Sequence, residues 1–116
     1  MNHDAAEARF VLAIEGGDLS AFRSSAEACR WIEEEDALGG GFVFVTGNGR
    51  PLAPEADKSS RAGWKLCENP GDPVDVRSIV LGYLDATEPG RVREFPTLPT
   101  RELLELLADL EDQGRR

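Results

Sequence analysis

The stretch from Gly39 to Gly49 does most to constrain the fold, because it sets a β-forming run between two groups of glycines. Phe42 to Val45 reads "FVFV", which is aromatic or β-branched throughout and predicts a central strand. The three glycines before it predict the end of a helix. Gly47-Asn48-Gly49 after it contains Asn-Gly, the pair favoured where both hairpin-turn residues need positive φ. A helix, a strand and a tight turn in succession indicate an antiparallel sheet.

A first hairpin is predicted near the N-terminus. The apolar run "FVLAIE", Phe10 to Glu15, predicts a strand, and Gly16-Gly17-Asp18 predicts a tight turn after it. The segment "LSAF", Leu19 to Phe22, then returns as a short strand.

Two further strands are predicted after the central one. "RPLAP" is compatible only with a short edge strand, because Pro51 and Pro54 cannot donate to a ladder. "WKLCE", Trp64 to Glu68, alternates enough to predict another strand. The polar segment from Glu55 to Gly63 between them predicts a mobile loop.

One helix is predicted between the first hairpin and the central strand. Ser24 or Ser25 is the expected N-cap, and Glu27 stands at capping-box spacing from Ser24. Ala28, Trp31 and Ile32 follow at helical spacing and predict one buried stripe. The helix is expected to run as far as Gly39.

Two more helices are predicted in the second half of the chain. Apolar residues recur from Val76 to Leu84 at i, i+3, i+4, i+7 and i+8, which is a helical face. Asp72 is the expected N-cap, with Pro73 at the first helical position and Asp75 in the first turn. The last helix is expected over about Thr100 to Gln113, with these leucines buried: Leu103, Leu106, Leu107 and Leu110.

These elements predict a single α+β domain over residues 1–116, with a small, mostly antiparallel sheet of about four to five strands covered by three helices. Residues 1–8 are expected to form a frayed tail. Residues 87–98 are rich in turn formers and predict a linker. Because the last helix follows this linker, we expect it to pack loosely or to contact a second copy of the chain.

The net charge of −9, from 22 acidic and 13 basic residues, restricts the classes of partner. A nucleic-acid binder needs a basic face, and so does a peripheral binder of anionic membranes. A basic protein partner is the expectation that remains. No apolar run approaches the length of a membrane span, and the polar N-terminus does not resemble a signal peptide. We therefore expect a cytoplasmic protein.

No catalytic, cofactor-binding or metal-binding residue is predicted. The single histidine is His3, so histidine-based catalysis and the usual zinc sites are not expected. Cys29 and Cys67 have no CxxC partner and are expected to be small buried hydrophobic residues without a disulfide framework. The carboxylates are plentiful, but no spacing selects a catalytic pair. Neither glycine group follows a strand and opens a helix, as a phosphate loop requires.

The run "EEED", Glu33 to Asp36, is the one local oddity. In a single helix ending at Gly39, these acids lie near the C-terminus, where the helix dipole disfavours negative charge. Two interpretations are open. The run is either a solubilising, solvated helix end or a surface that docks against Lys or Arg on another protein.

The first half of the chain resembles a group of small acidic actinobacterial proteins. The resemblance lies in a strand, the pattern F-x-S-x-x-E-A-x-x-W/Y-I/L-E, an acidic end, and a strand ending in x-G-R-x-L. The matching residues are Phe22, Ser24, Glu27, Ala28, Trp31, Ile32, Glu33, Asp36, Gly49, Arg50 and Leu52. The resemblance implies no catalytic or binding residue, but similar small acidic proteins often serve as immunity proteins to bacterial toxins.

The leading hypothesis is a non-enzymatic immunity protein that binds and occludes a secreted bacterial toxin through an acidic surface. The expected partner-binding residues are Glu27, Trp31, Glu33, Glu34, Glu35 and Asp36. Trp31 is the expected anchor if it is exposed. The alternative is a small-ligand-binding domain or a regulatory subunit of a larger assembly. A pocket gathering Trp64, Tyr83 and Arg77 or Arg91 favours a ligand, and the segment "LLELLADL" is the candidate contact helix of a subunit or homo-oligomer.

Overall fold

The computed structural model describes residues 7–88 and 94–115, with side chains described as far as residue 111. In chain order the elements are β1 Val11–Glu15, β2 Asp18–Phe22, α1 Ser25–Trp31, α2 Glu34–Leu38, β3 Val43–Thr46, β4 Pro51–Ala56, β5 Trp64–Glu68, α3 Val76–Thr87 and α4 Thr100–Arg115. A 3-10 turn, Phe95–Thr97, precedes α4. The predicted α+β class is confirmed. Most of the predicted tail, residues 1–6, and the middle of the predicted linker, residues 89–93, lie outside the described residues.

All five strands form one antiparallel sheet in the order β2-β1-β3-β4-β5. The first hairpin is confirmed: Glu15 pairs with Asp18 across a two-residue glycine turn. The predicted central strand is also confirmed, since β3 lies in the middle of the sheet and pairs with β1 through Leu12 and Val45.

The prediction that "RPLAP" forms an edge strand is wrong, because β4 lies between β3 and β5. The two prolines are tolerated for different reasons. Pro51 is the first residue of β4, a position where proline is allowed. Pro54 lies beyond the ladder with β3, which pairs only Phe44 with Leu52 and Val45 with Pro51.

The β3–β4 turn contains the predicted Asn-Gly pair but not with the predicted geometry. Gly49 has φ +90°, whereas no residue other than glycine has positive φ among those that the structure describes, so Asn48 does not. Gly49 N–H donates to the Thr46 carbonyl at 2.9 Å, and Thr46 N–H donates to the Arg50 carbonyl at 2.9 Å. This is a longer loop with one left-handed glycine at its end, a common three-residue hairpin connection.

The sheet buries a separate core on each face. One core lies under α3, α4 and the 3-10 turn and contains Phe10, Leu12, Leu19, Ala21, Val45, Val76, Val80, Leu84, Phe95, Leu103, Leu104, Leu107 and Ala108. The other lies under α1 and α2 and contains Val11, Ala13, Phe22, Ala28, Ala37, Phe44 and Trp64. The alternation of β1, with Leu12 on one face and Val11 and Ala13 on the other, is the two-residue period of a strand buried on both faces.

The single helix predicted from Ser24 to Gly39 is instead two helices. α1 ends at Trp31, and Ile32 is extended with φ −104° and ψ 126°. The indole Nε1–H of Trp64 donates to the Ile32 carbonyl at 3.0 Å, so a side chain from β5 satisfies the group that a continuing helix would have bonded internally. The chain therefore has four α-helices in its described part, one more than predicted.

The two C-terminal helices are confirmed with changes at their ends and faces. Asp75, not Asp72, is the N-cap of α3, because its carboxylate accepts from Ser78 N–H at 3.2 Å. In α4 the fully buried residues are Leu103, Leu104, Leu107 and Ala108, whereas Leu106 and Leu110 are only partly buried. The expectation of loose packing is wrong, since α4 packs against β2 and α3 within the chain.

Candidate functional site

Trp31, the expected anchor of a binding surface, is exposed. It is the last residue of α1, and 47% of its surface is accessible. The Arg30 guanidinium carbon lies 6.0 Å from the centroid of its ring. Ala28 is buried and Ile32 packs against the same core, so the prediction that Trp31 belongs to the buried stripe is wrong. A large aromatic side chain that reaches solvent is a candidate for recognition of another molecule.

The acidic residues predicted to bind a partner are close to Trp31 in the sequence, and all of them except Glu27 are exposed. Glu27 is partly buried and precedes Trp31 by four residues in α1, so the two share one helix face. Ser24 Oγ accepts from Glu27 N–H at 3.1 Å, which confirms the predicted N-cap. Glu33 to Asp36 are all exposed. We refer to Glu27, Trp31 and Glu33–Asp36 as the Trp31 surface.

The electrostatic oddity expected of "EEED" is absent. Glu33 is the N-cap residue of α2, and the next three acids occupy the first turn of that helix. Negative charge is favourable at a helix N-terminus, so the break after Trp31 turns an expected conflict into agreement with the helix dipole. The Glu34 carboxylate packs against Gly63, where a Cβ would come within 2.5 Å of Glu34 Oε2. The fold therefore explains why acids occur at these positions, and the exposure of Trp31 is a stronger sign of a binding surface than the acids are.

Neither cysteine has the environment of a nucleophile. Cys29 is partly buried against the α1–α2 core, and burial raises the pKa of its thiol. Cys67 is partly buried on β5, where its Sγ–H donates to Glu55 Oε2 at 3.1 Å. This hydrogen bond is the main reason that the pKa of the Cys67 thiol is raised. Both are free cysteines, and both are only partly buried, so the prediction that they are buried is not met in full for either. A raised pKa keeps a thiol protonated at neutral pH.

The residues of the alternative ligand pocket are not brought together. Trp64 is buried under α1, whereas Tyr83 packs on the opposite face of the sheet. Arg77 donates to the carbonyl oxygens of Leu98 at 2.7 Å and Pro96 at 2.8 Å, which fastens α3 to the segment before α4. Arg91 lies outside the described residues.

Sequence reasoning missed a groove of about 580 Å³ between α1 and β5. We call it the α1–β5 groove. It is lined by Ser25, Ala26, Cys29, Arg30, Asp57, Ser60, Arg61, Ala62, Trp64, Lys65 and Leu66. The alternation of "WKLCE" indicates that Trp64 and Leu66 share a face, but only the strand order makes β5 an edge strand with α1 beside it.

Over residues 7–88 and 94–115, no three His, Cys, Asp or Glu side chains are grouped so as to hold a metal ion. None of the helices in these ranges has the length and apolar character needed to cross a membrane. The chain matches no known protein family, no curated protein and no solved structure, so its function has to be argued from its own residues.

Proposed function

We propose that the chain is a non-enzymatic protein-binding module, and concretely an immunity protein that binds and occludes a basic bacterial toxin through the Trp31 surface. The observation that carries this proposal is the 47% exposure of Trp31, which is followed two residues later in the chain by four exposed acids. Binding energy at protein interfaces concentrates in a few aromatic and arginine residues, and surrounding polar residues exclude water from them.

The charge of the chain supports a basic partner. A net charge of −9 attracts a positively charged protein and raises the rate of its encounter. In this mechanism Trp31 inserts into the toxin, and the carboxylates of Glu33 to Asp36 pair with Lys or Arg side chains of the toxin around it. The bound chain covers the active cleft of the toxin, so the substrate of the toxin can no longer enter. A cytoplasmic location belongs to the same proposal. The toxin identity rests on the resemblance of Phe22–Leu52 to small acidic actinobacterial proteins.

The proposal is tested by affinity capture with matched variants. The immobilised chain is exposed to lysate and secreted protein of its host at low and high salt, and any captured toxin is purified and titrated for inhibition by the chain. We expect Trp31→Ala to weaken binding of that toxin by about 30-fold, the effect of losing a hot-spot residue worth about 2 kcal/mol. We also expect reversal of all four acids from Glu33 to Asp36 to lysine to weaken it and to remove its salt dependence.

Two controls separate recognition from folding. Val43→Ala changes a side chain that is 59% exposed and lies outside the Trp31 surface, and Glu102→Lys with Glu105→Lys reverses two exposed charges on α4. Both controls are expected to retain binding, and Trp31→Ala and the controls should unfold within about 0.5 kcal/mol of the parent because the altered residues are exposed. The reversal of all four acids places positive charge at the N-terminus of α2, so its folded state is checked by circular dichroism before its binding is compared. The proposal is wrong if no toxin is captured or if binding is indifferent to both Trp31 and the acids.

Homo-oligomerisation through the C-terminal helix stays a prediction. The leucines of α4 that pack most deeply, Leu103, Leu104 and Leu107, are buried within the chain, so a dimer through α4 would use its other faces. Sedimentation equilibrium over a range of concentrations checks it. A mass that stays at 12.6 kDa would contradict oligomer formation.

A further inference from the structure

We propose that the α1–β5 groove binds an extended, acidic peptide segment of another protein, which adds to the sheet as a sixth strand beside β5. This inference is independent of the Trp31 surface. It depends on three features of the described residues: the outer edge of β5, the apolar floor of the groove, and the basic side chains at its rim.

The outer edge of β5 offers backbone groups to an added strand. β5 is the last strand in the sheet order, with β4 as its neighbour. Asp57 N–H donates to the Gly63 carbonyl at 2.9 Å, and Asn69 N–H donates to the Pro51 carbonyl at 3.1 Å. The backbone N–H and C=O groups of the odd-numbered residues of β5 therefore point toward β4 in the antiparallel ladder. The backbone groups of the alternate residues point away from the sheet. Trp64 is fully buried, whereas Leu66 is partly exposed and Glu68 exposed, so an incoming strand pairs with Leu66 and Glu68.

The groove beside this edge provides space for every second side chain of an added strand. Successive side chains of a strand point to opposite faces, so alternate residues of the peptide would face α1. On that side the groove of about 580 Å³ is bounded by Ala26 and Cys29 of α1, by Leu66 of β5 and by Ala62, which precedes β5. Small apolar side chains are therefore expected at alternate positions of the peptide.

The charge of the rim selects an acidic peptide. Arg30, Arg61 and Lys65 line the groove, although basic residues are outnumbered by 22 to 13 in the whole chain. The one acid among the lining residues, Asp57, already accepts hydrogen bonds from Ser59 N–H at 3.0 Å and Ser59 Oγ–H at 2.6 Å. A locally basic groove on an otherwise acidic surface favours a carboxylate ligand.

A second copy of this chain paired through the same edge is disfavoured by the same charges. Pairing of two β5 edges would bring both copies of Arg61 and Lys65 together, and like charges at close range repel. Lysine on an edge strand also guards against edge-to-edge aggregation in many proteins. This protective role is the simplest competing explanation for Lys65, and the experiment must separate it from peptide binding.

The test begins with selection from a display library of short random peptides on the purified chain. An enriched peptide is then synthesised and titrated into the isotope-labelled protein. We expect the enriched sequences to alternate small apolar and acidic residues. We expect the amide protons of Leu66 and Glu68 to exchange with solvent at least about tenfold more slowly in the complex, a gain in local opening free energy of about 1.4 kcal/mol. The amides of Lys65 and Cys67 face β4 and serve as internal controls.

Variants and a modified peptide sharpen the result. Arg61→Glu and Lys65→Glu are each expected to lower the affinity for the peptide by about tenfold, the effect of reversing one paired charge. Arg101→Glu, on the exposed face of α4, is the control and should leave the affinity unchanged. Alternate residues of the peptide direct their backbone N–H groups toward β5, and the residues between them direct theirs away. N-methylation of the first set is expected to abolish binding, whereas N-methylation of the second set should leave binding unchanged. Arg30 is left unchanged because its guanidinium also lies over Trp31.

Each contrary outcome overturns the proposal. Three results would contradict peptide binding: enrichment of sequences without acidic residues, slowed exchange at sites other than the β5 edge, or failure to enrich any peptide. Lys65 would then only protect the edge of the sheet against aggregation. A concentration-dependent rise in mass with slowed exchange at β5 in the absence of peptide would make a second copy the occupant. Toxin capture and peptide titration are separate measurements, and Arg61 and Lys65 lie outside the Trp31 surface, so failure here and failure of the proposed toxin binding are distinguishable.

Discussion

At the scale of single residues, the β3–β4 turn shows why particular positions require glycine. Gly49 has φ +90°, and a Cβ there would overlap the Val74 carbonyl group. Gly47 is buried, and a Cβ there would overlap the Glu7 carbonyl oxygen and lie 2.8 Å from Leu104 Cδ1. The turn is therefore held by the close approach of three other segments, at Glu7, Val74 and Leu104, as well as by its own backbone.

The close approach at Gly47 leads to a first prediction. Gly47→Ala is expected to lower the free energy of unfolding by about 1–3 kcal/mol, because the added methyl group must displace backbone and Leu104. Gly82→Ala is the matched control. Gly82 lies within α3 with nothing within 4 Å of its Cβ position, so alanine there should raise stability by about 0.5–1 kcal/mol. Urea denaturation of both variants checks the prediction, and an equal effect of the two changes would contradict it.

Trp64 determines more of the structure than any other residue of β5. Its side chain is fully buried, and its ring centroid lies 5.5 Å from that of Phe44. Its indole N–H bonds to the Ile32 carbonyl and so stabilises the break between α1 and α2. A buried tryptophan usually finds such a partner for its N–H group, and here the partner decides where a helix ends.

At the scale of elements, helix ends depend on capping residues whose charge responds to pH. The Asp75 carboxylate accepts hydrogen bonds from the Ser78 hydroxyl and from the Ser78 backbone N–H, and these lower the pKa of Asp75, the hydroxyl more than the N–H. A carboxylate whose pKa is lowered in the folded state contributes stability above its unfolded pKa, and this contribution is lost as the pH falls through the folded value. The α3 cap is thus a stabilising contact at neutral pH that acid removes.

The second prediction follows from that sign. The difference in unfolding free energy between the parent and Asp75→Ala is expected to be largest near neutral pH and to shrink below pH 3.8, the ordinary pKa of an aspartate. Asp72→Ala is the control, because Asp72 lies outside the helix and should change stability by less than about 0.5 kcal/mol at neutral pH. Urea denaturation at several pH values measures both. A larger loss in Asp72→Ala would show that the cap had been assigned to the wrong residue.

At the scale of the whole molecule, two cores lie on opposite faces of one thin sheet, and α4 closes the larger of them. α4 lies against β2 and α3, and Leu104 reaches across to the β3–β4 turn at Gly47. Loss of packing by this helix therefore affects the sheet and the turn together. The helix that the sequence suggested as loosely attached is part of the core.

The third prediction tests this role of α4. Leu104→Ala is expected to lower the free energy of unfolding by about 2–5 kcal/mol, as for other fully buried leucines. Leu106→Ala, at a partly buried position of the same helix, should cost distinctly less. Thermal and urea unfolding compare the two. A larger cost at Leu106 would mean that α4 presents a different face to the sheet.

Much of the fold was predictable because its signals are local. The runs at Phe10 to Glu15 and Phe42 to Val45 are rich in the β-branched and aromatic side chains that favour strands. The spacing of apolar residues from Val76 to Leu84 indicates a helix despite the β-forming residues in that segment. The face of α4 was harder. Leu104 and Leu106 both fit a leucine-rich helix, and the position of β2 and of the β3–β4 turn decides which of them is buried.

The candidate sites were less predictable for a physical reason. The residues alone were enough to predict the α+β class, the first hairpin, the central strand, a helix cap at Ser24 or Ser25 and the acidic charge, all of which depend on neighbouring residues or on composition. The tertiary structure decided that Trp64 bonds to Ile32 and splits a helix, that Trp31 is exposed, that "EEED" begins a helix, and that β5 is an edge beside α1. Each of these depends on contacts between residues distant in the chain, which no local pattern encodes.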